Sequence, residues 1–489
     1  MHHHAILIVS IILLFTVFIA RISHRLNVPL IIIALVIGMF FGSDISGLIY
    51  FDDAALAVDF ANMALIFILF AGGFGTKSHH FQPVAKPSML LATAGVLLTA
   101  LITGSVFAVF SGWPFINSLL LCTILSSTDA AAVFSILKTR SINRTVSSIT
   151  EIESAANDPM AIVSVTLLLQ VMTGNGINTA SSVLLFIWQM AGGVCLGLLS
   201  GMAGTRLFNK IRNIDIGYYY VFLIGMILFS FGIADLCRAS GMLSVFFSGY
   251  IFGNRKIPFK SGISSFAETL SFIANVGLFI LLGLLVFPGQ LTSVWLTSIM
   301  LFLIIVLIGR PAAVFLCTFF TGLTLKDRIF ISWSGLRGAV PIVLATYAAA
   351  RGIDNGHQIF NIVFLTVTLS IIVQGTTVGK LADLLKLTGK PVGKPGQTME
   401  LVTIHDTNYE LIEILIDKDM YEGESMISQM PLPAGITITM INRDNVIIAP
   451  RGSTIIYPGD ILSVLVNHEN IKKVSGIIIG SFTRKQHTS

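Results

Sequence analysis

The chain has 489 residues, of which 54% are hydrophobic and 11% charged. A soluble domain carries roughly 25% charge, so this composition excludes a disordered chain, a collagen-like chain and a soluble globular enzyme, and most of the protein must be solvated by lipid. Charge is also uneven: residues 398–489 hold 11 acidic and 7 basic side chains, net −4, whereas the preceding residues are net +9. A soluble module therefore follows a membrane body.

Thirteen apolar segments are predicted along the chain, near 5–22, 28–43, 55–74, 88–110, 115–137, 149–172, 182–207, 217–238, 240–254, 267–287, 294–320, 327–350 and 357–380. Most approach the ~20 residues that a spanning helix needs. The first continues through Arg21, Ser23, His24 and Arg25 into the second with no small-x-small cleavage site, so it reads as a span and not as a signal peptide. Of the connecting segments, the odd ones with the tail carry nineteen Lys and Arg, from Arg21 to Lys394, and the even ones only Arg238 and Arg351. Basic loops stay on the cytoplasmic side, which predicts an outside N-terminus and a cytoplasmic C-terminal module. Cys122, Cys195, Cys237 and Cys317 all fall in apolar runs and read as packing residues, not as a disulfide framework.

An ionised side chain at bilayer depth costs at least ~2.5–3.5 kcal/mol on insertion scales, so intramembrane charge points to function. The candidates are Asp129, Glu153, Asp158, Glu268, Arg310 and Arg337. Segment six reads Glu153-Ser154-Ala155-Ala156-Asn157-Asp158-Pro159. Asp158 is expected near the midplane. Helical spacing puts Ser154 with Asp158 on one face and Glu153 with Asn157 on another, and Pro159 deprives the preceding turn of an amide donor. Segment five contains Ser126-Ser127-Thr128-Asp129, hydrogen-bonding side chains that compete with a helix backbone. A broken helix is expected there, with Asp129 capping a half-helix and Thr128 exposing oxygens. Segment twelve contains Ser334-Gly335-Leu336-Arg337-Gly338-Ala339-Val340-Pro341, a second interrupted helix. Arg337 keeps its proton and needs a carboxylate; Glu153 is its preferred partner. No partner is assigned to Arg310, and Glu268 reads as interfacial as readily as functional. Two interrupted segments seven apart among thirteen are what inverted repeats would give, with an ion site at the midplane where they meet.

At these motifs the chain resembles the monovalent cation/proton antiporter family, in its bacterial NhaP-type branch, related to the sodium/proton exchangers. The residues that carry the resemblance are Ser126-Ser127-Thr128-Asp129, Glu153-Ser154-Ala155-Ala156-Asn157-Asp158 and Gly335-Leu336-Arg337-Gly338-Ala339. It implies an NhaA-like polytopic helical fold with crossed broken helices, a homodimer in the bacterial inner membrane, and a cation/proton site at Asp158, Asn157, Ser154, Thr128 and Asp129. It further implies a Glu153–Arg337 ion pair and the electroneutral exchange typical of an Asn157–Asp158 pair. Relatives often carry an acidic residue about where Ala71 stands.

Residues 401–478 resemble the TrkA-C, or RCK-C, regulatory module of potassium-transport proteins. Strands are predicted at Tyr409–Ile416, Ile436–Asn442, Val446–Ala449 and Ile461–Val466, with a short helix at Gly423–Met430. A linker covers 387–400, after a membrane domain at 1–386 and before the module, which a tail at 479–489 follows. No G-x-G-x-x-G unit precedes the module. The resemblance tips the substrate toward K+ over Na+ and implies a possible nucleotide ligand, cyclic di-AMP; Arg443 and Asn445, in the hairpin turn, are the residues expected to meet it.

No metal-ligand cluster, P-loop or catalytic triad appears, so the chain is read as a transporter with no resident cofactor and no nucleic-acid partner. Low-dielectric surroundings favour a neutral carboxyl and an adjacent cation favours an ionised one; competition of H+ and an alkali cation for Asp158 would give obligatory exchange. A ligand-gated channel would need a filter, and no carbonyl-ring signature is present. A membrane sensor would not need the deep charges.

Overall fold

The computed structural model describes residues 7, 10–11, 14–16, 30–76, 78–129, 133, 141–173, 179–211, 215–351, 353, 355–389, 409–416, 425–429, 436–443 and 446–467. The first apolar segment, the linker beyond Gly389 and the tail lie largely outside them. Among the described residues eight helices are long and apolar enough to cross a membrane, and shorter apolar helices accompany them.

Among the described residues, the helices of eight residues or more are α1 (Leu30–Phe41), α2 (Ala54–Gly75), α3 (Ser78–Leu90), α4 (Val96–Ser111), α5 (Phe115–Ile124), α6 (Arg144–Met172), α7 (Thr179–Lys210), α8 (Ile216–Leu236), α9 (Gly241–Asn254), α10 (Lys260–Leu284), α11 (Trp295–Ile304), α12 (Arg310–Cys317), α13 (Leu325–Trp333), α14 (Ala339–Ala350) and α15 (Gly356–Leu384). Helices α3 and α4 run on through a π-helical turn at Leu91–Gly95, and α11 and α12 through another at Ile305–Gly309. The sequence pattern did not disclose either turn, because a π turn widens a continuous apolar helix without any polar residue to mark it.

Two bundles result. Helices α1, α2 and α7–α10 pack on one another, and α3–α6 pack with α11–α15. The first bundle is cemented by backbone-to-backbone approach. A Cβ at Gly73 of α2 would lie 2.0 Å from the Phe246 carbonyl oxygen of α9, and one at Gly253 of α9 would lie 2.0 Å from that of Phe74. Gly38 of α1 meets the Ile280 carbonyl of α10 in the same way, at 2.2 Å. Small residues at such contacts are how membrane helices gain close packing when lipid supplies no hydrophobic drive.

In the second bundle the described backbone leaves the helix at both expected places. Helix α5 stops at Ile124 and the backbone is non-helical through Asp129; α13 stops at Trp333 and α14 begins at Ala339. A short antiparallel pair, β1 (Ser141–Ile142) with β2 (Thr388–Gly389), ties the chain before α6 to the chain after α15. Leu387 is buried there and accepts a hydrogen bond from the Asn143 amide. The membrane unit therefore runs a few residues past the expected boundary at 386, and the chain parts into two compact units at Lys390/Pro391.

The second unit contains an antiparallel sheet in the order β3 (Tyr409–Leu415), β8 (Ile461–Asn467), β5 (Ile436–Arg443), β6 (Val446–Ile448). Ile436, Ile438, Ile441, Leu462, Val464 and Val466 bury one side of it. The helix expected at Gly423–Met430 is not formed in its described part: Ser425–Met426 is a strand (β4) paired with Ile455–Ile456 (β7), and a single 3-10 turn follows at Ile427–Gln429. Pairing with β7 supplies the backbone partners that an isolated short helix would lack.

Gly253→Ala forces a side chain into the Phe74 backbone, and overpacking of this kind costs about 1–3 kcal/mol. The expected outcome is a lower unfolding midpoint in detergent. Gly217→Ala, with nothing within 4 Å of the added carbon, should leave it unchanged.

Candidate cation site

Helix α6 has 29 residues and runs unbroken through Pro159. Asp158 is its middle residue, equidistant from Arg144 and Met172, which puts its carboxyl at mid-membrane depth if the helix spans symmetrically. The spans either side are apolar enough that this carboxyl has few polar neighbours to choose from. The neighbours it has come from the interrupted stretch after α5.

There the unwound backbone needs partners, because an unsatisfied amide or carbonyl at this depth costs several kcal/mol. The Asp129 amide donates to the Leu336 carbonyl at 2.7 Å, so the two interruptions hold one another directly. The Ser154 hydroxyl donates to the Thr128 carbonyl at 2.7 Å, and the Asn157 side-chain amide donates to the Thr128 hydroxyl at 2.7 Å. Arg337 Nη1 donates to the Ser127 carbonyl at 2.9 Å. The Ser127 hydroxyl donates to Asp158 Oδ1 at 2.6 Å. Ser154 and Asn157 are buried, whereas Asp158 is partly exposed. The five residues predicted for a cation site, Thr128, Asp129, Ser154, Asn157 and Asp158, are thus gathered at one crossing. Ser154 and Asn157, expected on separate faces, both reach Thr128, since i and i+3 are also neighbours on a helix.

The half-helix that Asp129 is expected to cap falls on residues that are not described, apart from Val133. Its carboxylate lies against Gly338, so close that a Cβ there would overlap Oδ2. Gly338 is the residue that precedes α14, so a negative charge rests beside that helix N-terminus, the favourable end of its dipole.

The expected Glu153–Arg337 pair is replaced by another. Glu153, fully buried, accepts from Arg310 Nη2 at 2.7 Å. The physical reason lies in the π turn at Ile305–Gly309, which directly precedes Arg310 and sets the direction in which its side chain leaves the helix. Arg337 answers a different demand, the backbone carbonyl of Ser127 at the end of an unwound stretch. Sequence spacing could not choose between two arginines on different segments. It also missed Ser370 and Gln374 on α15. The Arg337 amide donates to the Ser370 hydroxyl at 3.2 Å, that hydroxyl donates to Gln374 Oε1 at 2.5 Å, and Gln374 Nε2 donates to the Trp333 carbonyl at 2.8 Å. A polar pair four residues apart in an apolar run was the available signal. Glu268 is set apart from the crossing, on α10, and accepts from Ser264 at 3.1 Å.

In the second unit, Arg443 grips Asp460 with Nε and Nη2, both at 2.8 Å, donates to the Ile455 carbonyl and stacks over Tyr457. Those bonds hold the sheet to its turn. Asn445 lies outside the described residues.

A carboxyl in the middle of a long apolar helix, bonded by a hydroxyl from non-helical backbone that meets a second non-helical stretch, is the kind of site an ion-coupled secondary transporter uses. The chain belongs to the sodium/hydrogen exchanger family: that transmembrane family's model matches residues 11–383, and a TrkA-C domain matches 411–478. Among its relatives, the K(+)/H(+) antiporter NhaP2 of Shewanella oneidensis is 33% identical over 94% of this chain and 81% of its own length. The K(+)/H(+) antiporter NhaP of Alkalimonas amylolytica is 30% identical over 99% of this chain and 85% of its own. The Na(+)/H(+) antiporter NhaH of Halobacillus aidingensis is 30% identical over 61% of this chain and 76% of its own. Among solved structures, the sodium proton antiporter MjNhaP1 of Methanocaldococcus jannaschii superposes with a TM-score of 0.69 at 24% identity, covering 78% of this chain and 98% of that one. The expected polytopic helical fold and small C-terminal α/β domain are those observed. The chain is a monovalent cation/proton antiporter and not an enzyme.

Removing one partner of a buried ion pair costs about 3–5 kcal/mol, because the other charge is stranded. Glu153→Gln and Arg310→Gln should each lower the unfolding midpoint strongly, and the double variant should cost far less than the two together. Glu153→Gln with Arg337→Gln should combine closer to additively. Detergent thermal melts of the set measure both couplings.

Proposed function

We propose that this protein is an electroneutral potassium/proton antiporter that exchanges cytoplasmic K+ for H+ by alternating access at Asp158. The observation that carries the reading is the setting of that carboxyl: mid-helix, partly exposed, and held by one hydroxyl from Ser127, the neighbour of Thr128, whose oxygens accept from Ser154 and Asn157. Thr128, Ser154 and Asp158 would supply a dehydrated monovalent cation with oxygen ligands, while Asn157 fixes Thr128 from the buried side. Protonating Asp158 removes the charge that holds the cation, so either ligand excludes the other.

Charge balance supports one-for-one exchange. Among the described residues, the charges at the crossing are Asp129, Glu153 and Asp158 against Arg310 and Arg337. With all ionised the set is one negative charge over, and a single proton or a single monovalent cation brings it to neutrality. In a low-dielectric interior an unbalanced charge is costly, so both loaded forms are favoured over an empty or a doubly loaded one for the same reason.

The names of the Shewanella and Alkalimonas relatives support K+; the Halobacillus name supports Na+ as the second reading. The excess of Lys and Arg in the odd connections supports a cytoplasmic C-terminal domain in a bacterial plasma membrane. That domain, of a kind found in potassium-transport regulators, is assigned the control of exchange rate, and the transporter is assigned as a homodimer.

Inverted vesicles decide the matter. With Asp158→Asn, cation-driven dissipation of a preset ΔpH should fall to background with KCl, NaCl and LiCl alike; retained exchange would end the proposal. In the parent protein, assayed with the three salts side by side, KCl should give the lowest half-saturating concentration. Deleting 391–489 should leave exchange in place with altered dependence on cytoplasmic conditions, whereas complete loss would favour a sensor.

A further inference from the structure

Helix α2 belongs to the glycine-cemented bundle and α14 to the bundle that carries the site, and the two pack against each other. Across that contact the Tyr347 hydroxyl donates to Asn62 Oδ1. Both are polar groups on otherwise apolar faces. Further along α2, Thr76 borders a narrow cavity of about 70 Å³ that Ile152 and Ala156 of α6 and Phe246, Phe247 and Tyr250 of α9 also line.

These two features fall on opposite sides of the crossing. Tyr347 lies nine residues past Gly338, about 13 Å beyond the contact with Asp129 at 1.5 Å per residue. Ile152 lies six residues before Asp158, about 9 Å on that helix. Asn62 and Thr76 are separated by about 21 Å along α2. The site therefore sits between a cavity on one side and a hydrogen-bonded contact on the other. On the cavity side the bundles leave room between aromatic walls; on the other they are joined through a directional bond.

We propose that the Tyr347–Asn62 hydrogen bond is a latch that closes one face of the Asp158 site, and that it must break for the site to open to that face. It rests on the exchange reading above. Asn62 is fixed, because α2 is locked to α9 through Gly73 and Gly253. Tyr347 rides on the half-helix whose start lies at the site, so a displacement of that half-helix is felt at the hydroxyl. The closed state owes part of its population to this bond. Losing a hydrogen bond of ordinary net worth shifts such an equilibrium about fivefold.

The test uses the full-length protein with Cys122, Cys195, Cys237 and Cys317 replaced by alanine and Val58→Cys as reporter, one turn from Asn62 on the same face of α2. Reconstituted in liposomes, Tyr347→Phe and Asn62→Leu should each raise labelling of that cysteine by a membrane-impermeant maleimide about fivefold. Because a fivefold gain in labelling means that the open state is a minor one in the parent, the apparent KM for cation applied from the cavity side should change little, with exchange retained. The double variant should add nothing to either single one, since both remove the same bond. Parent-like labelling in the two single variants would overturn the latch, as would effects that multiply in the double. If Asp158→Asn abolishes exchange while both latch variants behave as the parent, only the latch fails; if Asp158→Asn exchanges normally, the reading beneath it fails.

Discussion

Two helices unwound in the middle of a membrane create a demand that the rest of the core exists to meet. Water is absent at that depth, so each freed amide and carbonyl must find a protein partner. The bond from the Asp129 amide to the Leu336 carbonyl meets part of that demand by letting the interruptions serve each other. The remainder is met by Ser154 and Arg337 on carbonyls of the first interruption and by Ser370 and Gln374 around the second. Once those partners are in place, the oxygens that border Asp158 are fixed without any of them having been recruited for a cation alone. The site is a by-product of satisfying a broken backbone, and that is why it is rigid.

The two bundles divide the labour. One is packed through glycine, where backbone meets backbone and no side chain intervenes, so it resists deformation. The other contains both interruptions, both π turns and the buried Glu153–Arg310 pair. A buried ion pair is weak evidence for stability, since desolving two charges offsets much of their attraction. Its value here is positional. Glu153 lies one turn before Asn157 on α6, and anchoring it to Arg310 fixes the rotation of that helix, and with it the direction in which Asp158 points.

How legible this was differs residue by residue. The positions of both breaks could be read because Ser126-Ser127-Thr128-Asp129 and Gly335–Gly338 contradict the apolar periodicity around them, and local chemistry suffices to stop a helix. Asp158 could be read because a carboxyl well inside an apolar run is conspicuous. The short helix expected at Gly423–Met430 failed because β7, distant in sequence, offers β4 a pairing that local propensity cannot foresee. The bond from Arg443 to Asp460 could not be read, because it depends on a residue seventeen positions on coming within 2.8 Å.

Sequence alone, then, determined the membrane class, the separate C-terminal module, the places where the helices stop and the presence of carboxyls inside the apolar runs, because each follows from composition or from a local break in pattern. Only the tertiary structure decided which arginine neutralises Glu153, that Ser127 is the hydroxyl on Asp158, and that Tyr347 reaches Asn62. Those are choices among chemically equivalent partners, and they are settled by helix rotation, by a π turn and by the distance between bundles, none of which leaves a mark on the order of residues.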